Sequence, residues 1–393
     1  MMSKYTKTGL LLAAMLASSA QAADWQDLFN GKDLSGWKQL GGEARYVIEG
    51  DQIVGYTVAG TPNSFLTTEK DYGDFILEYE LYVDPSMNSG VQIRSHINDK
   101  GVVYGYQIEV DPSPRRFSGG FYDEKRRGWL YPLSLNEKGR DAFENGTWNH
   151  YRVEAIGNSF QVFVNGIQTA AVVDDVDADG FIGLQVHSIR DESMEGRTVR
   201  WRNLRILTDD LEANRTPRDP EVEELSFLKN QLSDNEVRQG WRLLWDGKTT
   251  DGWRGAKLDE FPDWGWTIED GVLTVAETEG KESAGPGDIV TLDSFSNFEF
   301  RFEFKITEGA NSGIKFLVDP ELNKGEGSAI GCEYQILDDD VHPDAKMGVN
   351  GYRTLASLYD VITADYLYSV ARKKLFRGIG QWNRGRLVSK NGK

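Results

Sequence analysis

Alternating apolar and polar positions predict short β-strands along the first two hundred residues of the chain. The clearest run is Phe75–Val83, and the same period of two recurs at Tyr151–Ala155 and Phe160–Val164. Asn165-Gly166 separates the last run from Ile167–Val173, and both residue types suit a type I′ hairpin turn because its two central positions need positive φ. Many short strands without a long amphipathic helix predict a sandwich or jelly roll.

Four motifs of the first half of the chain return in the same order in the second half. Leu28–Trp37 returns as Leu244–Trp253, Asn88-Ser-Gly as Asn311-Ser-Gly, Tyr106-Gln-Ile as Tyr334-Gln-Ile, and Trp148-Asn as Trp382-Asn. The separation grows from 216 residues at the first motif to 234 at the last, which indicates one framework with loop insertions. A repeat this long predicts two related domains in tandem rather than a solenoid.

The second copy stops earlier than the first. The first copy continues for about sixty residues after Trp148, to Leu207, whereas eleven residues follow Trp382. The second copy has no counterparts of Gln161–Gly166, Gly183–His187 or Val199–Ile206. A sheet without its last strands has open edges, so we expect a second domain that is incomplete at its C-terminus, as in a fragment or a prematurely ended reading frame.

These patterns divide the chain into a signal peptide (residues 1–22), a first β-sandwich (23–208), a helical linker (209–240) and a second β-sandwich (241–393). In the linker, Asp219-Pro220 predicts a short helix over Glu221–Asn230. Ser233 and Glu236 have the spacing of a capping box, which predicts another helical turn. We expect the linker to pack on the second domain.

The N-terminus has the three parts of a secretory signal: basic Lys4 and Lys7, the apolar run Gly9–Ala17, and the small-x-small site Ala20-Gln-Ala22. The apolar run is well short of the roughly 20 residues that cross a bilayer. We therefore expect secretion, in a bacterium to the periplasm, with a mature start at Ala23 and no membrane insertion.

Composition excludes some partners and favours others. The net charge of −18 argues against nucleic acid or an anionic membrane surface, because both bind basic proteins. Aromatic residues make up 11% of the chain, which suits all-β packing and also sugar binding through ring stacking. Cys332 is the single cysteine, so no internal disulfide forms, and its place in a strand pattern predicts a buried thiol.

Seven motifs of the first copy together resemble the DUF1080 family, also called the 3-keto-disaccharide hydrolase domain. They are Phe29–Trp37, Asn88-Ser-Gly, Tyr106–Glu109, Gly146–His150, Val164–Gly166, Gly183–His187 and Trp201–Ile206. The resemblance implies an all-β, concanavalin A-like lectin/glucanase fold, with two antiparallel sheets and the ligand on the concave one. It also implies secreted bacterial enzymes that cleave 3-keto-glycosides or related sugars.

A glycoside oxidised at C3 reacts by a route that needs few protein groups. The carbonyl acidifies the proton on C2, a base removes that proton, and the C1–O bond then breaks by elimination, after which water can add. Such a site needs a base of tuned pKa and a positive or hydrogen-bonding group at the enolate oxygen. It does not need the two opposed carboxylates of ordinary glycosidases.

In the first copy, the candidate base is His187 or Glu109, and Arg94 is the candidate partner for the enolate oxygen. Residues two apart on a strand share a face. We therefore expect Arg94 to lie beside Gln92, and Glu109 to lie beside Gln107 and Asp111. The predicted substrate-binding residues are Gln92, Gln107, Asp111 and Gln185, with Tyr122 and Trp129 from a Gly-flanked loop that covers the pocket. The alternative is an ordinary polar sheet face that contacts solvent.

In the second copy, Lys315, Glu333 and Gln335 occupy the corresponding strands, and Leu317 replaces Arg94. Asp338 and His342 lie in an acidic run whose oxygen and imidazole groups suit a divalent cation. A solvated acidic loop is the alternative to that metal site.

Two functions therefore stand open at this point. The first is a hydrolase or lyase that cleaves 3-keto-glycosides by C2 proton abstraction. The second is a non-catalytic, lectin-like protein that holds glycans through aromatic side chains. A chain that is an inactive relic is a third possibility, and the sequence leaves open which copy is active.

Overall fold

The computed structural model describes residues 23–277, 287–319, 330–364 and 376–391. The chain divides into two compact units, one that ends at Phe227 and one that begins at Leu228. The predicted signal peptide lies outside the described residues. Among the described residues, no helix has both the length and the apolar character needed to cross a membrane.

The first unit is built from strands, with two one-turn helices, α1 (Glu137–Arg140) and α2 (Leu211–Asn214). The strands are β1 (Gln26–Asp27), β2 (Trp37–Gly41), β3 (Arg45–Glu49), β4 (Gln52–Tyr56), β5 (Ser64–Thr68), β6 (Phe75–Val83), β7 (Ser89–Ile97), β8 (Val103–Val110), β9 (Phe121–Glu124), β10 (Gly128–Tyr131), β11 (Asn149–Ile156), β12 (Ser159–Val164), β13 (Ile167–Val173), β14 (Phe181–Val186), β15 (Thr198–Leu207) and β16 (Leu225–Ser226). Short 3₁₀ turns lie at Leu133–Leu135 and Glu192–Met194.

These strands form two sheets. The nine-stranded sheet has the order β16-β13-β12-β11-β6-β15-β4-β3, with β1 added beside β15. The seven-stranded sheet has the order β10-β9-β8-β7-β14-β5-β2. The pairs are antiparallel except for β13 with β16, which run parallel. Neighbours distant in sequence, such as β7 and β14, show the crossovers of a jelly roll.

One hydrophobic core lies between the two sheets. Leu77 and Tyr79 of β6 and Val91 and Ile93 of β7 belong to the same fully buried cluster. The residues that alternate with them on each strand face away from this core. The first unit is thus an all-β, concanavalin A-like jelly-roll sandwich, as expected.

The hairpin predicted at Asn165-Gly166 is confirmed. These residues join β12 to β13 and have φ of 50° and 79°, the left-handed values that a type I′ turn requires. The Asn165 side chain also donates to Ala142 O at 2.9 Å, which ties the turn to a neighbouring loop.

Residues 209–227 pack on the first unit, contrary to the expectation from sequence. Thr216 N donates to Glu154 Oε1 at 2.8 Å, and Asp219 N donates to Gln168 Oε1 at 2.7 Å. The helix predicted over Glu221–Asn230 is absent; the segment instead supplies β16. Leu225 and Ser226 pair in parallel with Val172 and Val173, which covers the open edge of β13.

The second unit begins with α3 (Asp234–Arg238), whose Ser233–Glu236 capping box is confirmed. Its described strands are β17 (Trp253–Gly255), β18 (Trp266–Glu269), β19 (Val272–Val275), β20 (Ile289–Thr291), β21 (Phe298–Phe304), β22 (Asn311–Asp319), β23 (Ile330–Leu337) and β24 (Asn383–Ser389). A 3₁₀ turn lies at Pro343–Lys346. Within the described ranges they pair as β17-β20, β18-β19, β21-β24 and β22-β23. Cys332, predicted to be buried, is exposed on β23.

Candidate active site

A network of buried polar side chains lies on the seven-stranded sheet, on the face turned away from the core. Gln92 on β7, Gln107 on β8 and Gln185 on β14 alternate with core residues of the same strands, and each is at most 2% exposed. Gln107 Oε1 accepts hydrogen bonds from Gln92 Nε2 at 2.7 Å and from Gln185 Nε2 at 3.0 Å. The network thus joins three adjacent strands through one amide.

Glu109 is the ionisable group of this network. Gln107 Nε2 donates to its Oε2 at 2.9 Å, and Asn88 Nδ2 donates to its Oε1 at 2.6 Å. Burial raises the pKa of Glu109 to about 7, with nearby Asp111 acting in the same direction, while the two amide donors oppose the shift. A carboxylate with this pKa can take up or release a proton near neutral pH.

A cation approaches Glu109 from the loop that follows β8. Arg115 Nε donates to Asp111 Oδ2 at 2.7 Å, and the Arg115 charge lowers the pKa of Glu109, against the larger effect of burial. The guanidinium carbon lies 5.1 Å from the Phe117 ring centroid and 5.3 Å from that of Trp129. Its side chain is 47% exposed, so it remains accessible to a ligand.

Two predicted ligand-binding aromatics lie on β9 and β10, the strands beyond β8. Tyr122 pairs with Gln107 across the β8–β9 ladder, and Trp129 pairs with Tyr122 across β9–β10. The Tyr122 and Trp129 rings meet edge to face, with centroids 5.1 Å apart. Both side chains are half-buried, so they form an apolar border to the polar network.

The expectation that Arg94 shares a face with Gln92 is wrong. The β7–β8 register shifts between Ile93 and His96, and Arg94 adopts φ of 43°, so this bulge turns its side chain to the core side. The guanidinium carbon lies 5.0 Å from the ring centroid of core residue Phe160. The side chain donates to Gly73 O, Gly157 O and Asp74. Arg94 therefore ties loops together and does not join the polar network.

His187 lies just past the end of β14, two residues beyond Gln185. Its Nδ1 lies 2.8 Å from Ser188 O, a contact in which the ring nitrogen must donate. This hydrogen bond assigns the proton to Nδ1 and makes Nε2 the acceptor. Among the described residues, no hydrogen bond joins His187 to the Glu109 network.

The corresponding hairpin of the second unit carries different charges. Lys315 on β22 lies directly opposite Glu333 on β23, and Lys315 Nζ is 2.7 Å from Asp288 Oδ2. Gln335 is 1% exposed and donates through Nε2 to Asn311 Oδ1 at 3.3 Å. The bulge is repeated, because Leu317 has φ of 52° where Arg94 has 43°.

The structure does not gather Asp338 and His342 into a metal site. The Asp338 carboxylate accepts backbone hydrogen bonds from Gly309 and Asp340, and His342 Nδ1 accepts from Asp344 N at 3.2 Å. Both carboxylate oxygens of Asp338 and the Nδ1 atom of His342 thus accept hydrogen bonds from backbone N–H groups. Nowhere in the described part of the chain do three His, Cys, Asp or Glu side chains cluster closely enough to hold an ion.

Two residues of the candidate site were missed by sequence reasoning: Asn88 in the network and Arg115 beside it. Asn88 is the first residue of the repeated Asn-Ser-Gly motif, so the repeat itself was a signal for it. Arg115 has no such signal, because its loop reaches Glu109 only through the packing of residues 111–120 against β8. Glu109 N donates to Gly120 O and Gly119 N donates to Glu109 O, which holds that loop in place.

Comparison with known proteins follows the same division of the chain. The family model described as the 3-keto-alpha-glucoside-1,2-lyase-like domain matches residues 24–207 and 240–393. A 3-keto-disaccharide hydrolase from Bacteroides thetaiotaomicron is 37% identical over 159 residues, which are 38% of this chain and 52% of that protein. The chain thus spans about half the length of this relative.

The solved structures that match this chain have low sequence identity to it. The carbohydrate-binding module CBM66 from Bacillus subtilis is 17% identical, with a TM-score of 0.31, over 44% of this chain and 95% of the module. A Bacillus subtilis protein of unknown function with a galectin-like fold is 8% identical, with a TM-score of 0.34, over 47% of this chain and 94% of that one. The two family-model matches together cover most of the residues, and the chain belongs to the family of 3-keto-alpha-glucoside-1,2-lyase-like domains.

Proposed function

We propose that this chain is an exported enzyme that cleaves 3-keto-glycosides in its first unit, with Glu109 as the base. The observation that carries the proposal is the buried Glu109 carboxylate, whose pKa of about 7 lets it accept a proton near neutral pH. The family match and the relative named a 3-keto-disaccharide hydrolase support the substrate class.

The reaction needs one proton transfer and one bond cleavage. Glu109 removes the proton from C2, and the C2–H electron pair forms the enolate of the C3 ketone. The enolate collapses to a C1–C2 double bond, the C1–O bond breaks with its electron pair leaving on the oxygen, and the aglycone takes up a proton. Addition of water across C1–C2 then gives the free 3-keto sugar, so the net change is hydrolysis.

Arg115 takes the role for which the sequence suggested Arg94. Its half-exposed guanidinium lies near enough to lower the pKa of Glu109, and a fixed cation at this edge stabilises negative charge on an enolate oxygen. His187 is the second candidate group for proton transfer, and its Nε2 is the ring nitrogen open to a ligand because Nδ1 donates to Ser188 O.

Non-catalytic glycan binding is the alternative function. The half-buried Tyr122 and Trp129 rings beside the network suit a sugar ring in either case. Glu109 separates the two functions, because a site that only binds sugar hydroxyls does not require a desolvated carboxylate that titrates near neutral pH.

The test is release of p-nitrophenol from p-nitrophenyl 3-keto-α-glucoside by the purified full chain. We expect release from this compound and none from the unoxidised glucoside, because without the C3 ketone the C2 proton is not acidic. Deuterium at C2 should slow the release if proton removal limits the rate. Equal release from both glucosides would exclude elimination, and binding without release would favour the lectin-like alternative.

Export is a proposal that rests on the sequence of residues 1–22. Expression of the full reading frame in a Gram-negative host should yield a periplasmic protein whose first residue is Ala23. A cytoplasmic protein that keeps Met1 would contradict it.

A further inference from the structure

The two units present the same hairpin with the same pairing of residues. On β7 and β8, Gly90 lies opposite Glu109; on β22 and β23, Gly313 lies opposite Gln335. A Cβ at Gly90 would collide with the Gln107 side chain, and one at Gly313 would collide with that of Glu333. By strand pairing, Gln335 therefore occupies the place of Glu109, and Glu333 that of Gln107.

The carboxylate therefore lies at a different place in each hairpin: at Glu109 in the first, and at Glu333, the counterpart of Gln107, in the second. Sequence comparison aligns Tyr106 with Tyr334 and would put Leu337 in the place of Glu109, but the strand register is shifted by two residues from that alignment. The place of the base holds the neutral amide of Gln335. An amide does not take up a proton near neutral pH, so this place cannot supply a base.

The second hairpin nevertheless keeps groups that suit a polyol. Gln335 is 1% exposed, and among the described residues its Oε1 has no hydrogen-bond partner. A buried carbonyl oxygen of this kind needs a donor such as a ligand hydroxyl. Asn311 remains beside it in the place of Asn88 and is exposed.

One ring of the aromatic border, that of Tyr122, also has a counterpart in the second unit. Tyr359 N donates to Glu333 O at 2.9 Å, which sets Tyr359 beside β23 where Tyr122 lies beside β8. Lys315, opposite Glu333, adds an ammonium group in the place of Gln92. Amide, ammonium, carboxylate and aromatic ring together match the hydroxyls and the C–H face of a sugar.

We infer that the second unit contains a saccharide-binding site that does not cleave its ligand. The site is formed by Gln335, Asn311, Lys315 and Tyr359. This inference rests on the proposed function only in taking the ligand class from the first unit. The chain then has one site that cleaves and one that holds. A saccharide bound at the second site is retained on the same chain as the site that cleaves.

The experiment uses the full chain with Glu109→Gln, so that turnover is slow and the substrate stays intact during the titration. Titration calorimetry with methyl 3-keto-α-glucoside should give two molecules bound per chain. Adding Gln335→Ala should reduce this to one, and so should Asn311→Ala, which changes an exposed residue and leaves the buried side chains in place. Gln381→Ala, an exposed change in the same unit, is the matched control and should leave two.

Three outcomes would overturn the inference. One molecule bound to Glu109→Gln, unaltered by Asn311→Ala, would show that the second unit holds no sugar. Two molecules bound in every variant would place the second sugar elsewhere. Turnover by Glu109→Gln that Glu333→Gln then removes would make the second unit catalytic. Failure of the proposed function looks different, because a wild-type chain without turnover would still bind two molecules if the second site exists.

Discussion

The two units build one hairpin twice and place different chemistry on it. In the first unit the residue opposite the hairpin glycine is Glu109, a carboxylate with a pKa of about 7; in the second it is Gln335, which is neutral. Each has an asparagine amide beside it, Asn88 or Asn311. The backbone repeat thus determines where a side chain lies, and a single oxygen-for-nitrogen difference decides whether that place can accept a proton.

The sheets around the hairpins differ as well. The first hairpin is the centre of a seven-stranded sheet packed on a nine-stranded one, whereas in the described part of the second unit each strand has one partner. The bulge residue of each hairpin shows this difference in surroundings. Arg94 is buried among loop carbonyls, whereas Leu317, at the same place in the second unit, is 50% exposed. Surrounding structure therefore determines what a bulge residue contacts.

The largest expected effect comes from making the first hairpin resemble the second with Glu109→Gln. Turnover of a 3-keto-glucoside should fall by about 100- to 10,000-fold, the usual contribution of a positioned general base, while sugar affinity persists. Initial rates of p-nitrophenol release measure the change, and exposed Glu43→Gln is the matched control. Retention of a tenth of the activity would remove Glu109 from the role of base.

Arg94→Leu places the second unit's residue on the first unit's bulge. We expect the free energy of unfolding to fall by about 3 kcal/mol, because Asp74 and three backbone carbonyls lose a charged donor. Denaturant titration of the full chain measures this effect, with exposed Arg190→Leu as the control. Turnover per folded molecule should persist, and a specific loss of turnover in a stable Arg94→Leu protein would restore Arg94 to the active site.

The raised pKa of Glu109 also makes the stability of the first unit depend on pH. Since the folded pKa of about 7 exceeds the ordinary 4.5, the folded state binds this proton more tightly than the unfolded state. The resulting stabilisation is complete below pH 4.5 and is lost as the pH rises to about 7, by at most roughly 3 kcal/mol.

As the pH rises from 4.5 to about 7, the stability of Glu109→Gln should therefore increase relative to that of wild type. Gln335→Glu should make the stability of the second unit depend on pH in the same way as that of the first. Denaturation midpoints across this pH range measure both. The rate of turnover by wild type should rise through the same interval as the carboxylate ionises. Parallel midpoint curves for wild type and Glu109→Gln would show that the pKa is ordinary.

The smallest expected effect comes from Arg115→Ala. Turnover should decrease by about 10- to 100-fold, less than for a fully buried oxyanion donor because half of this side chain contacts water. Its neighbour Arg116→Ala is the matched control, since Arg116 pairs with exposed Asp141. Equal effects of the two changes on the maximal rate would remove Arg115 from transition-state stabilisation.

The fold was largely predictable from the sequence, and the site was predictable in part. Alternation located β6, β11, β12 and β13, and the face shared by Gln107 and Glu109 followed from their spacing. The orientation of Arg94 was not predicted by this spacing, because a bulge in β7 interrupts the alternation of faces. The segment Glu221–Asn230 did not form the predicted helix, because part of it pairs with the open edge of β13 as β16.

The sequence by itself determined the all-β class and the polar positions of β7, β8 and β14, because these depend on patterns within a few residues of one another. It also determined the long repeat, because matching motifs return in the same order. Tertiary structure decided which side Arg94 faces, which cation lies near Glu109 and which residue of the second hairpin occupies its place. Those outcomes depend on strand register and on loops that approach from distant parts of the chain, and local alternation contains no information about either.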